Sequence, residues 1–142
     1  MTGVWVLLGT LALAAVAGLA LRNRDGRIRG VDAVPEPAGS SLPEDVRRVV
    51  DPDAAVTLVQ LSTTFCAPCR QARVLLADLA AATDGLHHAE VDLTHRPDLA
   101  RALSVMRTPT TLAVDPHGTE LLRVGGVPNR EALLSALRPH LG

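Results

Sequence analysis

The feature that most constrains the fold of this chain is a pair of cysteines, Cys66 and Cys69, placed between a short apolar run and a helical pattern. Residues 54–62 (AAVTLVQLS) are rich in valine and leucine, as is typical of a buried strand. Residues 70–83 carry apolar side chains at the spacing of one helical face, and Asp84-Gly85 follows them. The two cysteines therefore lie at a strand-to-helix junction.

Two cysteines with two residues between them suit three kinds of site: a redox pair, a structural disulfide or half of a zinc site. Zinc needs four ligands, and His87, His88 and His95 would have to supply the others at a spacing that matches no common finger. A structural disulfide across so short a loop gains little chain entropy. Two cysteines are also too few for the framework of a small secreted scaffold. The redox pair is favoured, and the other two alternatives stay open.

The rest of the second half of the chain alternates between strand and helix patterns. We predict helices at 44–50, 97–103 and 129–141, and strands at 87–93, 110–114 and 120–124, the last two forming a hairpin. With the strand and helix around the cysteines, the order is β–α–β–α–β–β–α. It predicts an α/β fold with a mixed sheet covered by helices on both faces.

The first part of the chain has a different character. Residues 3–21 are uncharged and largely apolar, and at ~1.5 Å per residue they span roughly 28 Å, about the thickness of a bilayer's hydrocarbon core. Trp5 suits an interfacial anchor. A cleaved signal peptide is the main alternative, because residues 15–17 (AVA) resemble a cleavage site, but signal peptides carry positive charge ahead of the apolar run. We predict a single-pass membrane protein that contacts the lipid bilayer through residues 3–21.

These patterns divide the chain into three parts. Residues 1–22 form a transmembrane anchor, residues 23–43 a basic juxtamembrane segment and a Pro/Gly/Ser-rich linker, and residues 44–142 a globular domain. The net charge of −1 argues against a nucleic-acid partner. All fourteen basic residues are arginine, and with the abundance of alanine this indicates a GC-rich, bacterial genome.

The arginines also predict an orientation. Four of them follow the apolar run within eight residues, and none precedes it: Arg22, Arg24, Arg27 and Arg29. By the positive-inside rule the domain should lie on the cytoplasmic side of the cell membrane, with the extracytoplasmic side as the alternative.

A Thr108-Pro109 pair directly before the predicted hairpin, and Gly125-Gly126 before the final helix, complete a known arrangement. With the C-x-x-C motif, residues 44–142 resemble the thioredoxin family, and the tethered arrangement resembles the TlpA and ResA kind. The resemblance implies a thioredoxin-like three-layer α/β/α sandwich, preceded here by one transmembrane helix. It also implies a thiol–disulfide oxidoreductase that acts in cell redox homeostasis.

The resemblance further implies partners and cofactors. The clients would be protein disulfides, and an upstream electron donor would restore the thiols. The redox-active disulfide Cys66–Cys69 would serve in place of any other cofactor, without a metal, and the chain would be a monomer. Two alternatives are a thioredoxin-fold adaptor or redox sensor without turnover and, less favoured, a zinc-binding domain.

The cysteines have different expected roles. A thiolate attacks a disulfide, and a helix N-terminus stabilises a thiolate, so Cys66 would be the nucleophile and Cys69 the resolving thiol. By resemblance Pro109 would be cis and face the cysteines, so that Thr108 presents its backbone to an extended client segment. The expected substrate-binding residues are Phe65, Ala67, Pro68, Thr108, Pro109 and Gly125.

The sequence departs from thioredoxin at three places. Thr64 stands where thioredoxin has a tryptophan, Ala67 stands where the family commonly has glycine, and Gln60 stands where thioredoxin buries an aspartate. An amide cannot shuttle a proton as a carboxylate does, so proton transfer at Cys69 must differ. His88 and Glu90, on the neighbouring predicted strand, are the candidates to replace that carboxylate.

Overall fold

The computed structural model describes residues 2–22, 28–30 and 42–142. The helices in these ranges are α1 (Thr2–Arg22), α2 (Glu44–Arg47), α3 (Ala67–Ala81), α4 (Pro97–Ala102) and α5 (Arg130–Leu137), the last followed by a 3₁₀ turn at Arg138–His140. The strands are β1 (Ile28–Gly30), β2 (Val56–Ser62), β3 (Leu86–Asp92), β4 (Thr110–Val114) and β5 (Glu120–Gly125).

The five strands form one mixed sheet in the order β1-β5-β4-β2-β3. Strands β2 and β3 are parallel, while the β2–β4, β4–β5 and β5–β1 pairs are antiparallel. Asp92 is paired with Ser62, Thr110 with Leu61 and Gly125 with Thr110, so all of these residues lie at one end of the sheet. We call this end, marked by Ser62, Thr110 and Gly125, the upper end.

Helices cover both faces of the sheet, as the order of elements predicts. On one face, α3 and α5 pack against β2, β4 and β5 through a cluster that includes Leu58, Leu76 and Leu133. On the other face, α2 and α4 pack through Val46, Leu99 and their neighbours. Strand β2 is buried at all seven positions, which explains its nearly continuous apolar sequence.

Most predicted element boundaries lie within two or three residues of the observed ones. The helix after the cysteines is shifted toward the N-terminus, because it spans Ala67–Ala81 rather than the predicted 70–83. The final α-helix is shorter than the predicted 129–141 and ends at Leu137. Pro139 lies in the 3₁₀ turn that follows. A proline lacks the N–H that would continue the helical hydrogen bonds.

Strand β1 was not predicted. Ile28 pairs with Val124 of β5 in antiparallel register, and its half-buried side chain packs against the core on the α3 and α5 face. These residues were predicted to belong to the juxtamembrane and linker segment 23–43, whereas they are part of the sheet. The remainder of that segment up to residue 41, namely 23–27 and 31–41, lies outside the described residues.

Helix α1 carries the apolar stretch Gly3–Leu21, whose side chains are all exposed in the isolated chain. By length and composition this helix can cross a membrane, and a signal sequence near the N-terminus satisfies the same criteria. The structure therefore supports a membrane span or a signal sequence at this position.

Candidate active site

The two cysteines lie at the start of α3 and are joined by a disulfide with an S–S distance of 2.02 Å. Cys66 is the N-cap, and its Sγ accepts a hydrogen bond from the backbone N–H of Cys69 at 3.2 Å. Pro68 lies in the first turn, where a missing N–H leaves no helical hydrogen bond unmade. After reduction, the same N–H and the helix dipole favour a thiolate on Cys66.

The two sulfur-bearing residues differ in access. Cys66 is 7 % exposed and Cys69 is 1 % exposed. Cys66 is therefore the cysteine that an incoming disulfide can reach, while Cys69 is placed to attack Cys66 from within. This is the arrangement that the predicted roles require.

A second loop lies beside the cysteine loop at the upper end of the sheet. The Thr108–Pro109 peptide bond is cis. The hydroxyl oxygens of Thr63 and Thr108 are 3.4 Å apart, which places the two loops side by side. Pro109 is buried and its carbonyl accepts a hydrogen bond from the N–H of Gly126 at 2.7 Å. The chain therefore brings Thr108 and Pro109 to the cysteine end of the sheet, as expected.

Gly125 ends β5 at this same end and lies against an arginine that the sequence analysis did not single out. Arg107 Nη2 donates to the Gly125 carbonyl at 3.1 Å. A Cβ at position 125 would lie 3.1 Å from both Nε and Nη2 of Arg107, which is too close for an undisturbed contact. Glycine at this position lets the guanidinium lie on the backbone. The sequence signal was the position of Arg107 immediately before Thr108-Pro109.

Two large apolar side chains project from the loops around the disulfide. Phe65 is 97 % exposed and Met106 is 94 % exposed. Ala67 and Pro68 are also exposed, so the surface next to Cys66 is largely apolar. Phe65, Ala67 and Pro68 were predicted as substrate-binding residues. Met106 was missed, although it stands only two residues before Thr108.

A polar group lies under Cys69, between the sheet and α3. The fully buried Gln60 donates from Nε2 to the Cys69 carbonyl at 2.9 Å, and its Oε1 lies 3.1 Å from His88 Nε2. Glu90 has different partners, the Arg73 guanidinium at 2.6 Å and the Ser62 hydroxyl. Of the two candidates for the missing carboxylate, His88 is therefore the one that contacts Gln60.

The charges of this group follow from its surroundings. Burial lowers the pKa of His88, although the nearby Glu90 carboxylate opposes that change. The hydrogen bond from Arg73 lowers the pKa of Glu90, and partial burial opposes it. Near neutral pH the layer beneath Cys69 thus holds a neutral imidazole and an ionised, paired carboxylate.

No metal-binding group of three or more His, Cys, Asp or Glu side chains is found within residues 2–22, 28–30 and 42–142. Both sulfur atoms are engaged with each other. A disulfide at this position can take part in thiol–disulfide exchange.

A reactive disulfide that begins a helix, beside a cis X-Pro loop and on a mixed sheet between two helical layers, defines a thiol–disulfide exchange protein. A sequence model of the thioredoxin family matches residues 42–139. The chain belongs to the thioredoxin family. Strand β1 precedes the matched region.

Individual relatives agree with this assignment. The chain is 33 % identical over 84 residues to thioredoxin-2 of Pyricularia oryzae, an alignment that spans 58 % of this chain and 48 % of that protein. It is 32 % identical over 89 residues to a Staphylococcus saprophyticus thioredoxin, spanning 62 % of this chain and 85 % of the relative. These homologues support thiol–disulfide oxidoreductase activity.

A solved structure shows the same fold. A mutant thioredoxin from Halobacterium salinarum matches with a TM-score of 0.55 at 23 % identity, over 63 % of this chain and 78 % of that chain. At this identity the likeness concerns the fold alone.

Proposed function

We propose that the chain is a membrane-anchored thiol–disulfide oxidoreductase that reduces or exchanges protein disulfides through Cys66 and Cys69. The observation that carries the proposal is the asymmetry of the pair, with an accessible Cys66 capping α3 and a buried Cys69 one turn further on. Exchange chemistry needs one thiol that a client disulfide can reach. It also needs a second thiol that is close to the first one but shielded from the client.

The proposed reaction has two exchanges. The Cys66 thiolate attacks one sulfur of the client disulfide, so that a Cys66–client bond forms and the client bond breaks. Cys69, as a thiolate, then attacks the Cys66 sulfur and releases the second client thiolate. The client gains two electrons and two protons, and Cys66–Cys69 becomes the disulfide. A thiol donor upstream of this chain reverses the two exchanges and restores both thiols.

The client would bind as an extended segment beside Thr108. A backbone next to the cysteines can pair with such a segment in the manner of an added strand. Phe65, Ala67 and Pro68 would contact the client on the cysteine side, and Pro109 and Gly125 would shape the opposite side of the same surface. These roles are proposals that follow from the positions of the residues.

The two cysteines should behave differently when replaced. Cys66→Ser should abolish reduction of a protein disulfide such as that of insulin, because the described chain offers no other accessible thiol. Cys69→Ser should still attack but fail to resolve, and it should accumulate mixed disulfides with clients. Non-reducing gels followed by mass spectrometry of the trapped adducts measure both outcomes.

Equal inertness of the two variants, with no adduct from Cys69→Ser, would contradict the proposal. If the unmodified protein forms an adduct but does not turn over, the chain is instead a redox sensor or adaptor. A further control is Arg70→Ala, since Arg70 is exposed and next to Cys69. It should change the rate far less than either cysteine substitution.

We further propose that α1 is an uncleaved anchor and that the domain lies on the cytoplasmic side. Support comes from the four arginines that follow the apolar run, because such charges resist export. Resemblance to the TlpA and ResA kind, whose domains face outward, favours the opposite side. Inside, the protein would be a membrane-held reductant. Outside, it would act on exported proteins or cytochrome apoproteins.

Reporter fusions distinguish the two sides. Alkaline phosphatase fused after Gly142 should be inactive, and a green fluorescent protein at the same place should fluoresce. Replacing the four arginines with neutral residues and adding arginines after Met1 should invert both signals. An active phosphatase on the unmodified chain would show that the domain is exported.

A further inference from the structure

Strand β1 enters the sheet at the upper end, which is also the end that carries the disulfide. Ile28, its first residue, pairs with Val124, and the neighbouring Gly125 pairs with Thr110 at the start of β4. Since β1 is antiparallel to β5, the chain comes from α1 to the upper end first and then runs away from it. The helix and the redox site are thus connected to the same end of the domain.

The connection is short. Five residues, 23–27, separate the end of α1 at Arg22 from Ile28. Fully extended, that stretch reaches at most about 22 Å. A domain of about 100 residues has a radius of gyration of ~13 Å and hence a diameter of more than ~30 Å. The spacer is therefore too short to run past the domain and let the upper end point away from the bilayer.

The upper end also carries an apolar surface. Phe65 is the only phenylalanine in the sequence, and the structure leaves it 97 % exposed beside Cys66. Met106, on the adjoining loop, is 94 % exposed. Two large apolar side chains fully exposed around a reactive disulfide indicate a surface that binds an apolar partner.

We propose that the redox site faces the bilayer and acts on disulfides that membrane proteins present at the bilayer surface. The inference rests on the proposed anchor and the proposed oxidoreductase activity, and it applies to either side of the membrane. The short spacer keeps Ile28 within about 22 Å of the end of α1. The disulfide follows β2, three strands away at the same end of the sheet, which adds roughly 14 Å. The spacer therefore selects clients near the membrane. Phe65 and Met106 contact the apolar flank of the client segment.

Tryptophan fluorescence in vesicles tests the orientation. Trp5 is the only tryptophan, so the double variant Trp5→Phe, Phe65→Trp places a single reporter at the upper end. The matched control, Trp5→Phe, His117→Trp, places it in the exposed turn between β4 and β5, at the opposite end. The full-length variants are reconstituted into phosphatidylcholine vesicles whose acyl chains are brominated near the headgroups.

We expect several-fold stronger quenching for a tryptophan at position 65 than for one at position 117, since five residues of β4 alone separate the two ends by roughly 14 Å. Equal quenching at the two positions, or stronger quenching at position 117, would overturn the orientation.

Spacer insertions test the choice of client. A flexible 20-residue Gly/Ser segment is inserted between Gly26 and Arg27, or, as the control, between Gly39 and Ser40. The first insertion lengthens the connection between α1 and β1, and the second leaves that connection unchanged. Pre-reduced full-length protein in vesicles is given one turnover with a disulfide peptide that is either attached to a lipid headgroup or free in solution.

The unmodified protein should favour the attached peptide. Lengthening the spacer from five to 25 residues lowers the effective concentration about tenfold, because it falls as the −3/2 power of length. The preference should fall accordingly for the first insertion and stay unchanged for the second. Equal effects of both insertions, or no effect of either, would overturn the inference.

A failure of the proposed function can be distinguished from a failure of this inference. If the reduced protein in detergent reduces neither peptide, the oxidoreductase assignment is wrong, and the quenching experiment still decides the orientation. If alkaline carbonate releases the chain from membranes, α1 is no anchor and the inference falls with it. Deep quenching of position 65 without any preference for the attached peptide would show that the upper end contacts lipid rather than a client.

Discussion

Gln60 connects the buried cysteine to the titratable layer below it. Its amide donates to the Cys69 carbonyl and contacts His88, at a position fully buried between β2 and α3. A neutral amide holds the carbonyl without introducing a buried charge, which would be costly to desolvate. It follows that Gln60 positions the start of α3, while proton exchange with Cys69 has to use another group.

Removing that amide should destabilise the domain. In Gln60→Ala the buried Cys69 carbonyl loses the donor of its side-chain hydrogen bond, which costs about 1–3 kcal/mol of unfolding free energy. Urea denaturation of the oxidised protein measures the change. Gln71→Ala, on the exposed face of α3, is the matched control and should change stability by less than about 0.5 kcal/mol. Similar values for the two variants would contradict the role given to Gln60.

His88 should make stability depend on pH in a defined window. Its folded pKa lies below the ordinary 6.5 because burial disfavours the charged form. Between these two values the unfolded chain binds a proton that the folded chain does not, so stability falls as the pH drops below 6.5. The slope is at most about 1.4 kcal/mol per pH unit. Above pH 6.5 the contribution is fully present.

Thermal unfolding from pH 8 to 5 checks this prediction. His88→Gln should flatten the curve, whereas His117→Gln, in the exposed turn, should leave it unchanged. Glu90, whose pKa is lowered by the hydrogen bond from Arg73, adds a loss of stability only below its ordinary value of 4.5. A decline that persists in His88→Gln would assign the pH dependence to another group.

The sequence identified the cysteine pair, the amide at Gln60 and both candidates for the missing carboxylate, while the separate roles of the two cysteines stay predictions. It could not distinguish His88 from Glu90, because the two lie at alternate positions of one strand, i and i+2, and therefore share a face. The distinction depends on Arg73 of α3, whose guanidinium donates to the Glu90 carboxylate. Met106 was missed for a similar reason, since exposure of a methionine is a tertiary property.

At the scale of elements, strand β1 is the main difference between prediction and structure. Three residues, IRG, are too few to show a period, and their pairing with β5 is a contact across more than ninety residues of sequence. The longer elements were predictable because β2 and α3 carry continuous or periodic apolar patterns. The predicted boundaries were less accurate at the C-terminal ends of α2 and α5, where the helix gives way to a turn.

The contribution of β1 to the domain can be measured. Ile28 is half-buried against the core, so Ile28→Ala should lower the free energy of unfolding by about 1 kcal/mol, roughly half the value for full burial. Val74→Ala, on the exposed face of α3, is the control for loss of an exposed aliphatic group. An Ile28→Ala variant as stable as the control would mean that β1 is not held in the sheet.

At the scale of the whole molecule, the α/β sandwich with helices on both faces was predictable from the order of elements alone. The connection of α1 to the upper end of the sheet through β1 was not. A free linker over 23–43 would let the domain sample distances of roughly 25 Å in every direction. With β1 in the sheet, only residues 23–27 connect the domain to α1.

The same short strand has a consequence for how copies of the protein meet one another. Without β1, the outer hydrogen-bonding groups of β5 would be open to a neighbouring chain, and unpaired edges of this kind promote aggregation. β1 covers three residues of β5 and is itself too short to recruit another strand readily. At the opposite margin of the sheet, β3 presents His87, Glu90 and Asp92 among its seven residues, and such polar side chains disfavour edge-to-edge assembly. The proposed anchor would bring copies together often by confining them to two dimensions, and both margins of this sheet disfavour strand pairing between them.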